Sequence, residues 1–222
     1  MKRIINNFCS GYSNLIIKRN SDKFYKEFFV LNSEWNGFSP NEDEKSRLNV
    51  ITHLISKTTL NSNSMGIDVG CGRGWLVNQL SGQVNMIGID PVKSVIKYAR
   101  KIFPNFKFYS STPQKFVKNN PNLLFDVVIT SEVIEHVENK IDFLEDISKL
   151  LVKGGFIILS TPRGELKESW ELKFGKPSQP REEWINSTEL KKMFYALNLT
   201  VVSEEFCGPI DIYQVYLLRK VG

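Results

Sequence analysis

Hydrophobic and polar positions follow two alternating periods along the middle of the chain. Short apolar runs predict buried β-strands, at 64–69, 84–89, 105–110, 125–130 and 155–160. The segments between these runs carry apolar residues at helical spacing and predict helices, at 73–81, 92–103, 113–119 and 139–152. Regular alternation of strand and helix is typical of a parallel sheet with right-handed crossovers. The pattern therefore predicts an α/β domain.

The last part of the chain predicts one more helix and two more strands. Apolar spacing places the helix at 187–196, with Ser187 or Thr188 as its N-cap. Two extended runs follow, at 198–206 and 210–219, and the turn-forming sequence Cys-Gly-Pro separates them. We expect these two runs to pair with each other.

Two segments lie outside this pattern. Residues 1–60 begin with a polar, aromatic-rich stretch and continue into a helix; the aromatic residues are Phe24, Tyr25, Phe28, Phe29, Trp35 and Phe38. Residues 162–186 form a long insertion directly after the fifth predicted strand. Because ligands of open α/β sheets bind beyond the carboxyl ends of the strands, we expect the insertion to border a substrate pocket. We interpret 1–60 as a helical lid and 61–222 as the main domain.

Composition narrows the class of protein. A chain of 222 residues suits one domain, and no stretch approaches the roughly 20 apolar residues of a membrane span. Three cysteines leave one unpaired and show no metal-binding spacing, which favours a reduced, cytoplasmic setting. The net charge of +5 is spread along the chain instead of clustered, which disfavours nucleic acid as a partner.

A glycine-rich turn carries the strongest chemical signal. The run from Gly66 to Trp75 places Asp68 at the end of a predicted strand, followed by glycines at 70, 72 and 74. Glycine there permits positive φ and lets a ligand approach the main chain. A dinucleotide site requires glycine where Trp75 stands, and Asp68 would repel a pyrophosphate. The turn therefore favours a nucleoside ligand with a positive charge and without phosphate.

A second acid lies at the distance that a βαβ unit requires. Asp90 ends the second predicted strand and follows Gly70 by about 20 residues. A carboxylate at this place can accept hydrogen bonds from both ribose hydroxyls. Together, Asp68, the three glycines and Asp90 predict a binding site for S-adenosylmethionine.

These residues resemble the first motif of the class I methyltransferases, D/E-x-G-x-G-x-G. The resemblance implies a Rossmann-like, seven-stranded, mostly parallel sheet with an antiparallel last strand and helices on both faces. It also implies S-adenosyl-L-methionine as the cofactor. The cofactor-binding residues that it implies are Asp68, Gly70, Cys71, Gly72, Gly74, Asp90, Pro91, Thr112, Pro113, Ser131 and Glu132.

The sequence after the fourth predicted strand resembles two subfamilies. Glu132-Val-Ile-Glu135-His136 is similar to the E-x-x-E-H of ubiquinone-biosynthesis O-methyltransferases and to that of small-RNA 2′-O-methyltransferases, in which it holds magnesium. The RNA enzymes use a further, downstream histidine. The only other histidine here, His53, precedes the glycine turn, so we expect no bound metal.

Three residues of this motif are the candidates for catalysis. A neutral His136 can accept the proton of a hydroxyl acceptor, and the alternative is a histidine that only packs the turn. Glu132 and Glu135 either assist the reaction or are solvated carboxylates of a helical turn. Methyl transfer from a sulfonium needs mainly alignment and removal of one proton, so few catalytic groups are expected.

The sequence therefore predicts an S-adenosylmethionine-dependent methyltransferase that acts on an oxygen, or less often a nitrogen, of a small biosynthetic molecule. An aromatic lid and a tryptophan-bearing insertion suit an acceptor with an apolar or ring-shaped part. RNA 2′-O-methylation and a non-catalytic subunit of the same fold are the alternatives. A homodimer is compatible with the sequence, which leaves the oligomeric state open.

Overall fold

A computed structural model describes residues 22–177 and 179–221. Its seven strands are β1 Met65–Val69, β2 Asn85–Asp90, β3 Lys107–Ser110, β4 Phe125–Ser131, β5 Leu151–Pro162, β6 Leu199–Cys207 and β7 Tyr213–Lys220. They form one sheet in the order β3-β2-β1-β4-β5-β7-β6. All neighbours from β3 to β5 pair in parallel, whereas β7 is antiparallel to both β5 and β6. The predicted sheet with an antiparallel last strand is confirmed.

Seven α-helices accompany the strands in the described ranges. They are α1 Glu42–Ser56, α2 Trp75–Leu80, α3 Lys93–Ile102, α4 Pro113–Asn119, α5 Lys140–Lys149, α6 Lys167–Phe174 and α7 Ser187–Ala196. Residues 22–31 form a further short helix, of which Glu27–Leu31 is a π-helix. The first 21 residues of the predicted lid lie outside the described part. None of the described helices is long and apolar enough to cross a membrane.

Hydrophobic cores cover both faces of the sheet. On one face, α1, α2 and α3 pack on the sheet with buried residues such as Leu54, Leu76 and Ile96. On the other face, α4, α5 and α7 contribute residues such as Leu144 and Phe194. Helices on both faces were predicted, and the central strands β1 and β4 are buried from two sides, as in other parallel sheets.

The helix α1 has polar as well as apolar residues on its inner face. Asn41 caps it, because the Asn41 side chain accepts the Glu44 N–H and the Glu44 carboxylate accepts the Asn41 N–H, both at 2.9 Å. The buried positions of the helix are Glu44, Arg47, Ile51, Leu54 and Ile55, a helical stripe. Two charged side chains therefore lie on the face that packs against the domain.

Two predicted boundaries are wrong. The helix predicted to reach residue 152 ends at Lys149, and β5 begins at Leu151 because Leu151 pairs with Phe125 of β4. Short apolar runs do not distinguish the end of a buried helix from the start of a buried strand. The N-cap of α7 is Asn186, whose side chain accepts the N–H of Glu189 at 2.8 Å. Ser187 donates its hydroxyl to Glu204 instead.

Candidate functional site

A cavity of about 670 Å³ lies at the carboxyl end of the sheet. It opens where β1 and β4 are neighbours and the strand order reverses, the place where open α/β sheets bind ligands. The ends of β1, β2 and β4 form its floor, and residues of 22–44 and of the insertion 162–186 form its walls. The insertion therefore borders the pocket, as the sequence predicted.

The glycine turn connects the end of β1 to α2 beside this cavity. The N–H groups of Gly70 and Cys71 donate to the carbonyl of Ile89 at 2.8 and 3.0 Å, which joins the turn to β2. Gly70 has φ of 80° and Gly72 has φ of 50°, values that favour glycine. A Cβ at Gly70 would overlap Val133, and one at Gly72 would lie 3.2 Å from the ring of Phe29. The turn thus presents bare main chain to the cavity.

The two predicted cofactor acids face the same cavity. Burial raises the pKa of Asp68 to about 8, and the nearby Asp90 adds to this shift. Burial also raises the pKa of Asp90 to about 6, although the N–H groups of Val92 and Gly72 donate to its carboxylate at 2.8 and 3.2 Å. Both acids therefore favour a ligand that brings positive charge or hydrogen-bond donors.

The end of β4 contributes a second pair of carboxyl groups. Glu132 has φ of 58°, a left-handed conformation that is rare outside glycine and typical of strained functional sites. Its carboxylate accepts the hydroxyl of Ser160 at 2.9 Å, and Ser160 lies 2.9 Å from the hydroxyl of Ser131. Burial and then Glu135 raise the pKa of Glu132 to about 8, whereas Arg47 opposes the shift. Glu132 faces the cavity and is not a solvated turn residue.

Glu135 and His136 lie side by side in a 3₁₀ turn. Glu135 is buried, accepts the hydroxyl of Thr161 at 3.0 Å, and has a pKa that burial raises to about 7. Nδ1 of His136 lies 2.5 Å from the carbonyl oxygen of Arg181, a residue of the insertion. A carbonyl only accepts, so Nδ1 carries the proton and Nε2 is left to accept one. The turn therefore holds a free imidazole nitrogen at the cavity wall.

Arg47 and Tyr213 line the cavity, although neither was predicted from the sequence as a site residue. The Arg47 residue is 5% exposed, and its Nε has no hydrogen-bond partner among the described residues. Its guanidinium lies over the ring of Tyr213, 4.5 Å from the centroid. A buried guanidinium with a free donor is suited to bind an anionic group of a ligand. The sequence signal that could have identified Arg47 is its helical spacing. It lies three residues after Glu44 and four before Ile51, on the inner face of α1.

Aromatic side chains line the two walls of the cavity. Tyr25, Phe28, Phe29 and Trp35 come from the N-terminal segment, and Trp170 and Trp184 come from the insertion. Phe28 stacks on Trp35 with centroids 4.7 Å apart, and Trp170 meets Trp184 at 6.2 Å in an edge-to-face contact. These rings offer flat apolar surface to a bound molecule.

Three predicted cofactor residues do not lie at the cavity wall. Thr112 is the N-cap of α4 and accepts the N–H of Lys115 at 3.3 Å, and Pro113 is the first residue of that helix. A Cβ at Gly74 would lie 2.5 Å from Phe108, so this glycine is needed for packing. The other predicted residues line the cavity: Asp68, Gly70, Cys71, Gly72, Asp90, Pro91, Ser131, Glu132, Glu135 and His136. His53 is remote from these residues, on an exposed part of α1, with 56% of its side chain exposed.

Comparisons with known sequences identify relatives. Residues 41–204 match a family model described as a methyltransferase domain. A ubiquinone biosynthesis O-methyltransferase of Rickettsia typhi is 32% identical over 205 residues, which cover 78% of this chain and 81% of the relative. A mitochondrial ubiquinone biosynthesis O-methyltransferase of Dictyostelium discoideum is 33% identical over 132 residues, 52% of this chain and 41% of the relative. The chain spans less than half of that relative and half of a second one, from Rickettsia canadensis.

Solved structures share the fold at low sequence identity. The N-methyltransferase NodS of Bradyrhizobium japonicum, in complex with S-adenosyl-L-homocysteine, superposes with a TM-score of 0.71 at 17% identity and covers 90% of this chain and 98% of NodS. Magnesium protoporphyrin IX methyltransferase of Synechocystis superposes with a TM-score of 0.68 at 14% identity, over 89% of this chain and 98% of that one. The likeness extends over the sheet and its helices.

Proposed function

The chain belongs to the class I S-adenosylmethionine-dependent methyltransferases, and we propose that it transfers the methyl group of this cofactor to an oxygen of a small biosynthetic molecule. One observation supports the proposal most: Asp68, Asp90 and the glycine turn share a cavity with Glu135 and the free nitrogen of His136. The first group suits the cofactor and the second suits the acceptor. The ubiquinone biosynthesis relatives favour oxygen over nitrogen as the methylated atom.

The donor side of the cavity matches the charges of the cofactor. S-adenosylmethionine supplies a methyl group on a positively charged sulfur, and its methionine end carries an ammonium and a carboxylate. In our proposal Asp68 holds the ammonium, and the unpaired Nε of Arg47 holds the carboxylate. Asp90 accepts from the ribose hydroxyls, and the ligand lies along the glycine turn beside the Phe29 ring, which packs against Gly72. The two buried carboxyl groups of this set, Asp68 and Asp90, disfavour a pyrophosphate.

The acceptor side supplies a base and the groups that orient it. Nε2 of His136 accepts the proton of the acceptor hydroxyl, and the Arg181 carbonyl keeps the imidazole in that tautomer. Glu135, 3.6 Å from Nε2, stabilises the imidazolium once the proton has arrived. Tyr25 packs edge-on against the imidazole, with ring centroids 6.2 Å apart, and covers this side of the ring. This chain therefore supplies proton removal and alignment, the two tasks that methyl transfer needs.

The walls of the cavity suggest the class of acceptor. Six aromatic rings favour a molecule with a ring or an extended apolar part, such as a quinol or an aromatic natural product. Although the whole chain is basic, the cavity is lined by eight acidic residues and two arginines: Asp43, Glu44, Asp68, Asp90, Glu132, Glu135, Glu138 and Glu182, with Arg47 and Arg181. Two arginines in the lining fall short of the cluster of basic residues that phosphodiesters require, which disfavours the RNA alternative.

Methyl transfer to a panel of phenols, catechols, hydroxylated rings and amines, followed by mass spectrometry, tests this function. We expect methylated oxygen products together with S-adenosylhomocysteine, and loss of both in His136→Gln. Calorimetry with S-adenosylhomocysteine tests the donor side separately. Cofactor binding without any product from the panel or from a cell metabolite extract would favour the non-catalytic subunit, and absence of cofactor binding would reject the proposal.

A further inference from the structure

Arg73 directs its side chain from the glycine turn to the N-terminal segment. It lies between Gly72 and Gly74, and it is fully buried. Its Nε donates to the carbonyl of Gly37 at 2.8 Å, and one terminal nitrogen donates to the carbonyl of Ser39 at 3.3 Å. Its two terminal nitrogens also donate to the two carboxylate oxygens of Glu44, at 2.6 and 2.7 Å. Such a two-pronged ion pair fixes the orientation of both side chains.

Glu44 performs two structural tasks with one carboxylate. The oxygen that accepts from Arg73 at 2.7 Å also accepts the N–H of Asn41, which closes the capping box of α1. The start of α1 and the glycine turn are therefore joined through a single buried group. A shift of either one breaks hydrogen bonds of the other.

The segment held by Arg73 carries one of the two aromatic walls of the cavity. This wall, called the aromatic wall below, consists of Tyr25, Phe28, Phe29 and Trp35. The loop 36–41 connects the aromatic residues to α1, and the hydroxyl of Tyr98 donates to the carbonyl of Asn36 at 2.7 Å. The ring of Phe29 lies directly over Gly72, the neighbour of Arg73 in the turn. The aromatic wall thus contacts the glycine turn at Phe29 and is bonded to it through Arg73.

We propose that Arg73 and Glu44 are positioning residues that couple the glycine turn to the segment 22–41, so that the aromatic wall is in place only while their ion pair is intact. The coupling rests on the proposed function only for the identity of the ligand that occupies the turn. A ligand that orders the turn also orders the segment, because Arg73 belongs to the one and is bonded to the other. The assembled wall then completes the acceptor side of the cavity.

The choice of variants follows from the burial of the pair. Removing one partner leaves an uncompensated buried charge, which destabilises the fold for reasons unrelated to coupling. The double variant Arg73→Met with Glu44→Met removes both charges together. Arg73→Lys keeps the charge but loses the fork that reaches Glu44, Gly37 and Ser39 at once. Lys57→Met is the matched control, since it breaks a 2.6 Å ion pair with Glu205 at the other end of α1.

Hydrogen exchange measured by mass spectrometry tests the coupling, because it gives the exchange rate of the segment 22–41 with and without ligand. With S-adenosylhomocysteine, we expect slower exchange of 22–41 in the wild type and little such protection in Arg73→Lys and in the double variant. Without ligand, both variants should exchange this segment about tenfold faster than the wild type while peptides of β1 and β4 stay unchanged. Their affinity for S-adenosylhomocysteine should fall about tenfold, and Lys57→Met should match the wild type.

Two results would overturn the coupling. The first is wild-type exchange of 22–41 in a folded Arg73→Lys or double variant, and the second is equal loosening in Lys57→Met. If the double variant does not fold, Arg73→Lys alone decides. A wild type that does not bind S-adenosylhomocysteine contradicts the proposed function, whereas the ligand-free exchange rates still decide whether the ion pair holds the segment.

Discussion

Oε1 of Glu135 lies 3.6 Å from Nε2 of His136, and Thr161 holds the other carboxylate oxygen. The pair therefore combines a proton acceptor with a buried acid that can respond to its charge. We therefore expect proton removal from the acceptor to depend on His136.

Replacing His136 tests its role as the base. We expect His136→Gln to lower kcat by about 10²–10⁴, the range that general-base catalysis provides. The Kd of S-adenosylhomocysteine should stay unchanged, because His136 is not among the proposed cofactor contacts. His53→Gln is the matched control, since its side chain is 56% exposed on α1. Equal activity of His136→Gln and the wild type would leave His136 with a packing role only.

Replacing Arg47 tests its contact with the methionine carboxylate. We expect Arg47→Met to weaken binding of S-adenosylhomocysteine by about 10- to 100-fold, in line with a charge-assisted hydrogen bond worth about 1.5–3 kcal/mol. Calorimetry measures this, and Arg219→Met, a change on an exposed part of β7, is the control. Binding of adenosine should be equal in both variants, because adenosine has no carboxylate. A parallel loss of adenosine binding would instead point to a damaged cavity.

A methyl group added at Gly72 tests the close packing of the Phe29 ring on the glycine turn. Gly72→Ala places a Cβ 3.2 Å from the ring of Phe29 and imposes a positive φ on alanine. We expect a loss of cofactor affinity of at least about tenfold, together with a small loss of stability of about 1 kcal/mol. Gly82→Ala is the control, because a Cβ at Gly82 has no atom within 4 Å. Calorimetry and thermal melts of the two variants separate the effects.

The buried carboxyl groups make stability depend on pH. Burial raises the pKa of Asp68 and of Glu132 to about 8, well above their values of about 4 in an unfolded chain. Because the folded state binds these protons more tightly, protonation adds to the free energy of unfolding. This contribution is fully present below a pH of about 4 and is lost as the pH rises through about 8. We expect the ligand-free protein to have a Tm several degrees lower at pH 8.5 than at pH 6, and Asp68→Asn with Glu132→Gln to reduce this difference. An unchanged difference in the double variant would contradict the raised pKa values.

The affinity for the cofactor should rise with pH, whereas the stability of the ligand-free protein falls. An ionised Asp68 is needed to hold the ammonium of the ligand, and burial raises its pKa to about 8 without the ligand. The affinity for S-adenosylhomocysteine should therefore rise between pH 6 and 8, by up to about tenfold per pH unit for one coupled proton. Calorimetry in buffers of different ionisation enthalpy should detect release of about one proton, and Asp68→Asn should abolish it. Affinity that is constant over this range would exclude the ion pair.

The parts of the fold that were predicted correctly are local in sequence. One βαβ unit contains Asp68, the glycine turn and Asp90, so spacing alone brings these residues to one edge of the sheet. The alternation of strand and helix was similarly local. The boundary between α5 and β5 was missed because Leu150 and Leu151 are buried in both interpretations, and only pairing with Phe125 decides between them.

The parts of the site that were missed depend on tertiary contacts. Arg47 precedes the glycine turn by more than 20 residues and reaches the cavity only because α1 packs on the sheet. The orientation of His136 depends on the Arg181 carbonyl, 45 residues later. Thr112 followed from the family pattern, yet at this position the hydroxyl caps α4. An arginine in the same helical stripe as Ile51, Leu54 and Ile55 is the signal that would have identified Arg47.

The ion pair of Arg73 and Glu44 joins two positions 29 residues apart in the chain. The two residues should change together in evolution, because a mutation that removes one of them leaves the other charge buried without a partner. Descendants of this gene should keep both residues or replace both. Lineages in which the glycine turn has a small residue at position 73 should be free to have a neutral residue at position 44, and there the segment 22–41 needs a different attachment.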